Sequence, residues 1–197
     1  MPDTYPDFAT LAAREREGVD FRVVVRTRDS RAAIVAPHGG GIEPGTSEIA
    51  AAIAGPDHSA YAFEGIKRTG NAVLHITGSR FDEPRCLELL ASADRVVTIH
   101  GEDSEEPIVF LGGRDAALGE ALARALRAGR FEVRSQPRLP GIESSNICNR
   151  GRSSVGVQLE LSLGLRTSFF ASLRAAGRRF PSPRLGEFAA AVRDALR

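Results

Sequence analysis

The sequence predicts an α/β fold: a single domain over residues 1–197, with a mixed, mostly parallel sheet flanked by helices on both faces. Three observations carry this. Short apolar, β-branched runs alternate with stretches whose apolar residues recur three and four apart. A length of 197 residues suffices for one good core and is short for two domains. No internal repeat, low-complexity tract or linker breaks the alternation.

Strands are expected at 21–25 and 32–36, and the second of these leads into Pro37-His38. Thr46 is read as the N-cap of a helix over 46–54, just before Ser47-Glu48. A strand at 73–77 then carries His75 in its interior, and a helix follows at 84–92. The next strands are 96–100, which ends on His100, and 108–111. Helix 116–128 is the clearest, with Leu118, Leu122 and Leu126 on one face and Gly129 as a C-terminal stop. A strand at 131–134 precedes the last one, at 155–161. Alternation in that last strand puts Val157, Leu159 and Leu161 on one face and Gln158, Glu160 and Ser162 on the other. Helices at 167–176 and 185–196 close the chain.

Composition bounds the class. Apolar residues make up 42%, near the globular average, and no apolar stretch approaches the roughly 20 residues of a membrane span. The opening Met1-Pro2-Asp3-Thr4-Tyr5-Pro6-Asp7 has neither a basic nor an apolar leader region, so a cytoplasmic protein is expected. Cys86 and Cys148 are too few for a disulfide framework. The formal net charge of +1 hides an asymmetry. From Arg124 onward there are 14 arginines against 5 acidic residues, a balance of +9, while the preceding residues carry 12 basic and 20 acidic groups, −8. Such a C-terminal third favours an anionic partner, because guanidinium forks match carboxylates, although charge runs are also common on plain solvated helices. Nucleic acid is not the expected partner: with no Trp and two Tyr, the chain has little to stack on bases. A monomer is the expected state.

The chemistry gathers at two histidines. His38 and His100 each end an apolar run, and Gly39-Gly40-Gly41-Ile42-Glu43 follows the first. If both runs are strands of one parallel sheet, both imidazoles leave at the edge where open α/β sheets bind ligands. The glycines let the backbone fold Glu43 back toward the same point. Two imidazoles and a carboxylate there would form a three-ligand zinc site with a fourth position for water. Hydrogen-bonded structural histidines are the alternative. A phosphate cradle fits less well, since the loop lacks the Lys-Ser/Thr of a P-loop and the G-x-G-x-x-G spacing. Glu160 is the candidate base, the alternative being the solvent face of an edge strand. Asn146-Ile147-Cys148-Asn149-Arg150 offers amide and guanidinium donors suited to a carboxylate, or simply a capped turn. His58, in Pro56-Asp57-His58-Ser59, reads as exposed; His75 is a candidate to line the pocket, with a core or supporting histidine the favoured reading.

Several segments together resemble the phage-type poly-γ-glutamate hydrolases. They are His38-Gly-Gly-Gly-Ile-Glu43-Pro-Gly-Thr, Tyr61-Ala-Phe-Glu-Gly65, Leu74-His-Ile-Thr, Phe81-Asp-Glu-Pro84, Ile99-His100-Gly101, Asn146-Ile-Cys-Asn-Arg150 and Gly156-Val-Gln-Leu-Glu160-Leu-Ser. The resemblance runs from about Tyr5 to Phe170, in the family's order, and its first and last segments are the most specific. It implies a zinc-carboxypeptidase-like fold and cleavage of the γ-amide links of poly-γ-glutamate, an anionic polymer that fits the +9 third. It further implies Zn²⁺ on His38, Glu43 and His100, Glu160 as base, and Asn149-Arg150 as the grip on a substrate carboxylate. A phage-derived hydrolase would reach an external polymer on host lysis. The three consecutive glycines depart from the family's usual loop and are expected to loosen it slightly. Two other functions remain open at this point: another carboxypeptidase-like deacylase acting on a small N-acyl amino acid, and a non-catalytic polyanion-binding module.

Overall fold

The structure is a computed structural model and describes residues 3–197; Met1 and Pro2, the start of the stretch read for a leader, lie outside the described residues. Seven strands form one sheet: β1 (Phe21–Arg26), β2 (Ala32–Gly40), β3 (Ser59–Gly65), β4 (Arg95–Glu102), β5 (Ile108–Gly113), β6 (Glu132–Ser135) and β7 (Val157–Ser162). Their order across the sheet is β1-β3-β2-β4-β7-β5-β6. The pairs β2–β3, β2–β4, β4–β7 and β5–β6 are parallel, while β1–β3 and β5–β7 are antiparallel. This is the mixed, mostly parallel sheet that the alternating pattern predicts.

Helices cover both faces because the strands bury both. Ile34, Ala36, Ile99, Leu159 and Leu161 meet α2 (Thr46–Ala54), α4 (Ala116–Ala128) and α6 (Pro183–Ala195) through Ile49, Ile53, Leu122 and Phe188. Val35, Tyr61, Phe63 and Val96 point the other way, onto Leu11 of α1 (Phe8–Ala12) and Cys86 and Leu90 of α3 (Pro84–Ala91). Each fully buried Val, Leu, Ile or Phe among these contributes about 1.5–3 kcal/mol. No helix is long and apolar enough to cross a membrane among the described residues.

Three local expectations differ from the structure. No strand is expected at Ser59–Gly65, yet β3 lies there between β1 and β2. Its alanines hide the pattern: Ala60 and Ala62 are small enough to sit under the helical layer, while Tyr61 and Phe63 fill the other side. The stretch 73–77 is not a strand. A 3₁₀ turn spans Asn71–Leu74, and beyond it the Thr77 N–H donates to the Asp3 carboxylate (2.7 Å) while the Ile76 carbonyl accepts from His38 (2.7 Å). These backbone groups find side-chain partners instead of a sheet ladder. Finally, α5 (Leu163–Ser168) replaces the helix expected at 167–176, because the Ser162 hydroxyl caps it at the end of β7 by accepting from the Leu165 N–H (3.1 Å). The chain then folds back so that Phe169 and Phe188 pack at 5.1 Å between ring centroids.

The topology fixes where a site can form. From β2 the chain passes through α2 to β3 on one side, then crosses by α3 to β4 on the other side of β2. The carboxyl ends of β2 and β4 therefore flank a switch point, the usual crevice of open α/β sheets.

Candidate active site

A β-bulge aims the first histidine. The β2–β3 register advances from Ala36↔Ala62 to Gly39↔Glu64, so β2 holds one residue more than its partner around Pro37-His38. Proline suits a bulge, having no N–H to give the ladder. Strict alternation would put His38 beside Ile34 and Ala36 under α2. The extra residue turns it to the opposite side, edge-on to the Phe81 ring (6.2 Å between centroids), with Nε2 on the Ile76 carbonyl.

The three glycines pack rather than loosen. A Cβ on Gly39 would stand 2.0 Å from the Ser47 hydroxyl. Gly40 has φ 66°, and a Cβ there would lie 2.4 Å from the Gly65 carbonyl oxygen. The loop thus lies directly on β3 and returns Glu43 to the edge, where its backbone N–H donates to the His38 carbonyl (2.8 Å). Thr46 is the first helical residue; Gly45 is the N-cap, and the Thr46 hydroxyl donates to the Glu43 carbonyl (2.9 Å).

His100 and Glu160 are register partners on the parallel pair β4–β7, and so share a face. Four of the side chains named from the sequence therefore meet in one cavity of about 330 Å³: His38, Glu43, His100 and Glu160. Nδ1 of His38 lies 3.0 Å from a Glu43 carboxylate oxygen and 3.2 Å from Nδ1 of His100; the latter is 3.9 Å from the other Glu43 oxygen. That second oxygen also accepts the Gly101 N–H (2.8 Å). With Nε2 of His38 committed to the Ile76 carbonyl, its Nδ1 faces the carboxylate, donating to it when the imidazole is charged and offering a lone pair when it is neutral. The cluster is thus built to hold a cation between Nδ1 and the carboxylate, a proton or a metal ion.

The electrostatics agree. Although burial opposes it, the charge and hydrogen bond of Glu43 raise the proton affinity of His38. Glu43 is likewise held down to about 2, against burial, by His38, His100 and the Gly101 N–H. Burial, reinforced by the neighbouring imidazoles, lowers His100 to about 3 despite Glu43, so it is neutral, and its Nε2 is buried with no hydrogen-bond partner among the described residues. Glu160 goes the other way: burial, then the charge of Glu43, push it up to about 8. Gln158 orients it, donating to a Glu160 oxygen (3.1 Å) and to the Leu139 carbonyl (2.9 Å), and itself accepts from Asn146 (3.3 Å).

Sequence reasoning left His75 as a secondary candidate and missed Arg138 and Arg166. His75 lines the cavity, stacked on His38 at 4.1 Å between centroids, with Nδ1 on Asp3 (2.8 Å) and Nε2 3.8 Å from Glu43. Donor atoms of His38, Glu43 and His75 also lie within 4.8 Å of one another, so His75 rivals His100 for a place beside a cation. Arg138 is the one lysine or arginine lining the cavity among the described residues. Arg166, 2% exposed, donates to the carbonyls of Leu161 (3.1 Å), Pro44 (2.8 Å) and Glu102 (3.0 Å). Each of these carbonyls lies within two residues of Glu160, Glu43 or His100, so one guanidinium ties the three segments together. The available signals were faint: Gln136-Pro137-Arg138 marks a loop, while Arg166 looks like any helical arginine.

The expected grip by Asn149 and Arg150 is not brought to the cavity. The Asn149 amide donates to the carbonyls of Gly141 (2.8 Å) and Glu143 (2.9 Å) and accepts from the Gly156 N–H (3.1 Å), which leaves it a loop clamp. Arg150 is exposed and outside the cavity lining. The turn Asn146–Arg150 contributes Asn146 instead, whose side-chain amide oxygen also accepts from the Cys148 N–H. His58 is half-buried, with Nδ1 2.9 Å from the Ser30 hydroxyl, and does not line the cavity.

Known proteins share this architecture. YndL of Bacillus subtilis (strain 168), a UPF0714 protein, is 36% identical over 172 residues, 85% of this chain and 67% of its own length. The SPbeta prophage-derived UPF0714 protein YoqZ of the same organism is 36% identical over 179 residues, 89% of this chain and 65% of its own. The chain thus spans about two thirds of the length of these curated relatives. Among solved structures, a bacteriophage poly-gamma-glutamate hydrolase superposes with a TM-score of 0.95 at 30% identity, covering 98% of this chain and 96% of that one. A zinc-free form of YndL superposes with a TM-score of 0.92 at 34% identity, covering 99% and 98%. The family model described as poly-gamma-glutamate hydrolase matches residues 5–191. With this match over nearly its whole length, the chain belongs to the poly-gamma-glutamate hydrolase family.

Proposed function

We propose that the protein is a zinc-dependent hydrolase of the γ-glutamyl amide bonds of poly-γ-glutamate. The observation that carries this is the convergence of His38 Nδ1, the Glu43 carboxylate and His100 Nδ1 beside a buried Glu160. Tetrahedral zinc with bonds of about 2.0–2.1 Å keeps its donors about 3.4 Å apart. The separations of 3.0, 3.2 and 3.9 Å bracket that value. A neutral, buried His100 is in the ligand form, and the Ile76 carbonyl fixes the tautomer of His38 as a supporting partner would. His100 is preferred to His75 as third ligand because its Nδ1 lies 3.2 Å from Nδ1 of His38 and it is more deeply buried, whereas Nδ1 of His75 is taken by Asp3. His75 stands at the rim.

A zinc ion held there would lower the pKa of a water toward about 7 and polarise the scissile carbonyl. Glu160, next to that point, takes a proton from the attacking water and returns it to the leaving nitrogen. In the metal-free chain burial and Glu43 raise its proton affinity, and the charge of a bound cation would draw that back down, so that the carboxylate is ionised and able to accept a proton. Gln158 holds the carboxylate in one orientation. Arg138, unlike Arg150, is placed to meet the α-carboxylate that every γ-linked residue carries. The family and the phage hydrolase support the substrate, and the zinc-free form of YndL supports the metal.

The test is a substrate panel on the purified chain. Long γ-glutamyl chains should be cleaved, with activity lost on chelation and restored by zinc, and N-acyl amino acids left intact. Deacylation of N-acyl amino acids without chain cleavage would overturn the substrate.

A further inference from the structure

The catalytic cavity does not itself account for a polyanion. Arg138 is its one permanent cation among the described lining residues, against Glu43, Glu143 and Glu160. A second cavity, of about 380 Å³, begins on the same glycine loop, at Gly40 and Gly41. Gly41 is two residues from Glu43, so their backbones lie within about 7 Å of each other. This cavity is strongly cationic: Arg22, Lys67, Arg68, Arg174 and Arg178 line it, against Glu48 and Glu64.

The charges divide into two sets. Arg22 pairs with Glu64, Lys67 with Glu15 (2.6 Å) and Arg178 with Glu48 (2.7 Å). Arg68 and Arg174 are exposed, and neither guanidinium has a hydrogen-bond or ion-pair partner among the described residues. Paired cations form the walls and two uncommitted forks remain. Guanidinium forks favour carboxylates that arrive in series.

We propose that this second cavity is a remote subsite for the substrate polymer, in which Arg68 and Arg174 hold α-carboxylates of γ-linked residues beyond the scissile bond. The inference rests on the γ-glutamyl reading of the catalytic cavity. It makes chain length, rather than the reacting bond alone, a determinant of affinity. Binding energy so gained depends on ionic strength, because the forks are exposed.

The test compares the zinc-loaded wild type with Arg68→Ala/Arg174→Ala on long poly-γ-glutamate and on a short γ-glutamyl oligomer. Both arginines are exposed and without a partner among the described residues, so an unchanged melting temperature checks that the fold is intact. KM for long chains should rise roughly three- to thirtyfold, the range of two exposed ion pairs, with kcat on the short oligomer unchanged. The rise should shrink as salt is added. An unchanged KM for long chains, with wild-type cleavage normal, overturns the subsite and leaves the catalytic reading standing. If the wild type cleaves neither substrate, the catalytic reading fails. Fluorescence anisotropy of labelled poly-γ-glutamate then decides the subsite: weaker binding by the double variant supports it, and equal binding overturns it.

Discussion

Glu160→Gln separates the base from the scaffold, and its expected effect on stability is opposite in sign to its effect on turnover. In the folded, metal-free chain Glu160 is raised to about 8 from an ordinary value of 4.5, by burial and by Glu43. Below pH 4.5 both the folded and unfolded chains keep the proton, and the group contributes nothing to the pH dependence. Between 4.5 and 8 the unfolded chain has released a proton that the folded chain retains. Stability therefore falls as pH rises through this window and levels off above it. The full excursion is on the order of 5 kcal/mol. Glutamine keeps the shape and cannot ionise, so it removes this penalty. The assay is thermal unfolding of both chelated proteins at several pH values, read as a difference so that His38, Glu43 and His100 largely cancel. The two melting temperatures should coincide near pH 4 and part toward pH 8, with the glutamine variant higher by roughly 10–20 °C. With zinc bound, the variant should retain metal and lose about 10²–10⁴ in turnover. A gap that is flat with pH, or a wild type that is the more stable at pH 8, would refute the buried-base argument. Near-wild-type turnover would remove Glu160 from the mechanism.

Other outcomes follow from the same contacts. Gly40→Ala forces a side chain onto φ 66° and against the Gly65 carbonyl, at a cost of about 2–4 kcal/mol, and should lower the melting temperature by about 5–15 °C. A wild-type melting curve would mean that the loop is not packed on β3. Arg166→Lys cannot reach three carbonyls with one planar fork and should lose both stability and zinc affinity, measured by chelator competition. Retention of both would show that Arg166 does not hold the three segments. Arg150→Ala should leave KM for poly-γ-glutamate unchanged while Arg138→Ala raises it; the reverse order would restore Arg150 as the carboxylate grip.

The legible part of the site is the part set by short-range rules. His38 and His100 end apolar runs, Glu43 follows a glycine loop, and Glu160 shares a strand face with Gln158. Strand ends of a parallel sheet converge, and the structure brings these four side chains together. What stayed hidden depends on long-range partners. Ser59–Gly65 is alanine-rich because it lies under a helix, a fact of the packing rather than of the run itself. His75 sits beside His38 because Asp3, 72 residues away in sequence, pins it there. Asn149 reads as a polar grip, and only the loop around it shows that its amide is already spent on Gly141, Glu143 and Gly156. Arg166 is one arginine among many until the carbonyls it meets are known. The charge asymmetry was visible as a number, yet its arrangement around the glycine loop needed the fold, which adds Arg22, Lys67 and Arg68 from the acidic part of the chain to Arg174 and Arg178.

The central claim is that His38, Glu43 and His100 hold a zinc ion that the reaction requires. It is tested most directly by elemental analysis of the wild type and of His100→Ala purified side by side, with circular dichroism to check that the fold persists. About one zinc per wild-type chain, lost in the variant together with cleavage of poly-γ-glutamate, is the predicted result. A folded His100→Ala chain that keeps its zinc, or a chelated wild type that cleaves the polymer at full rate, would contradict it.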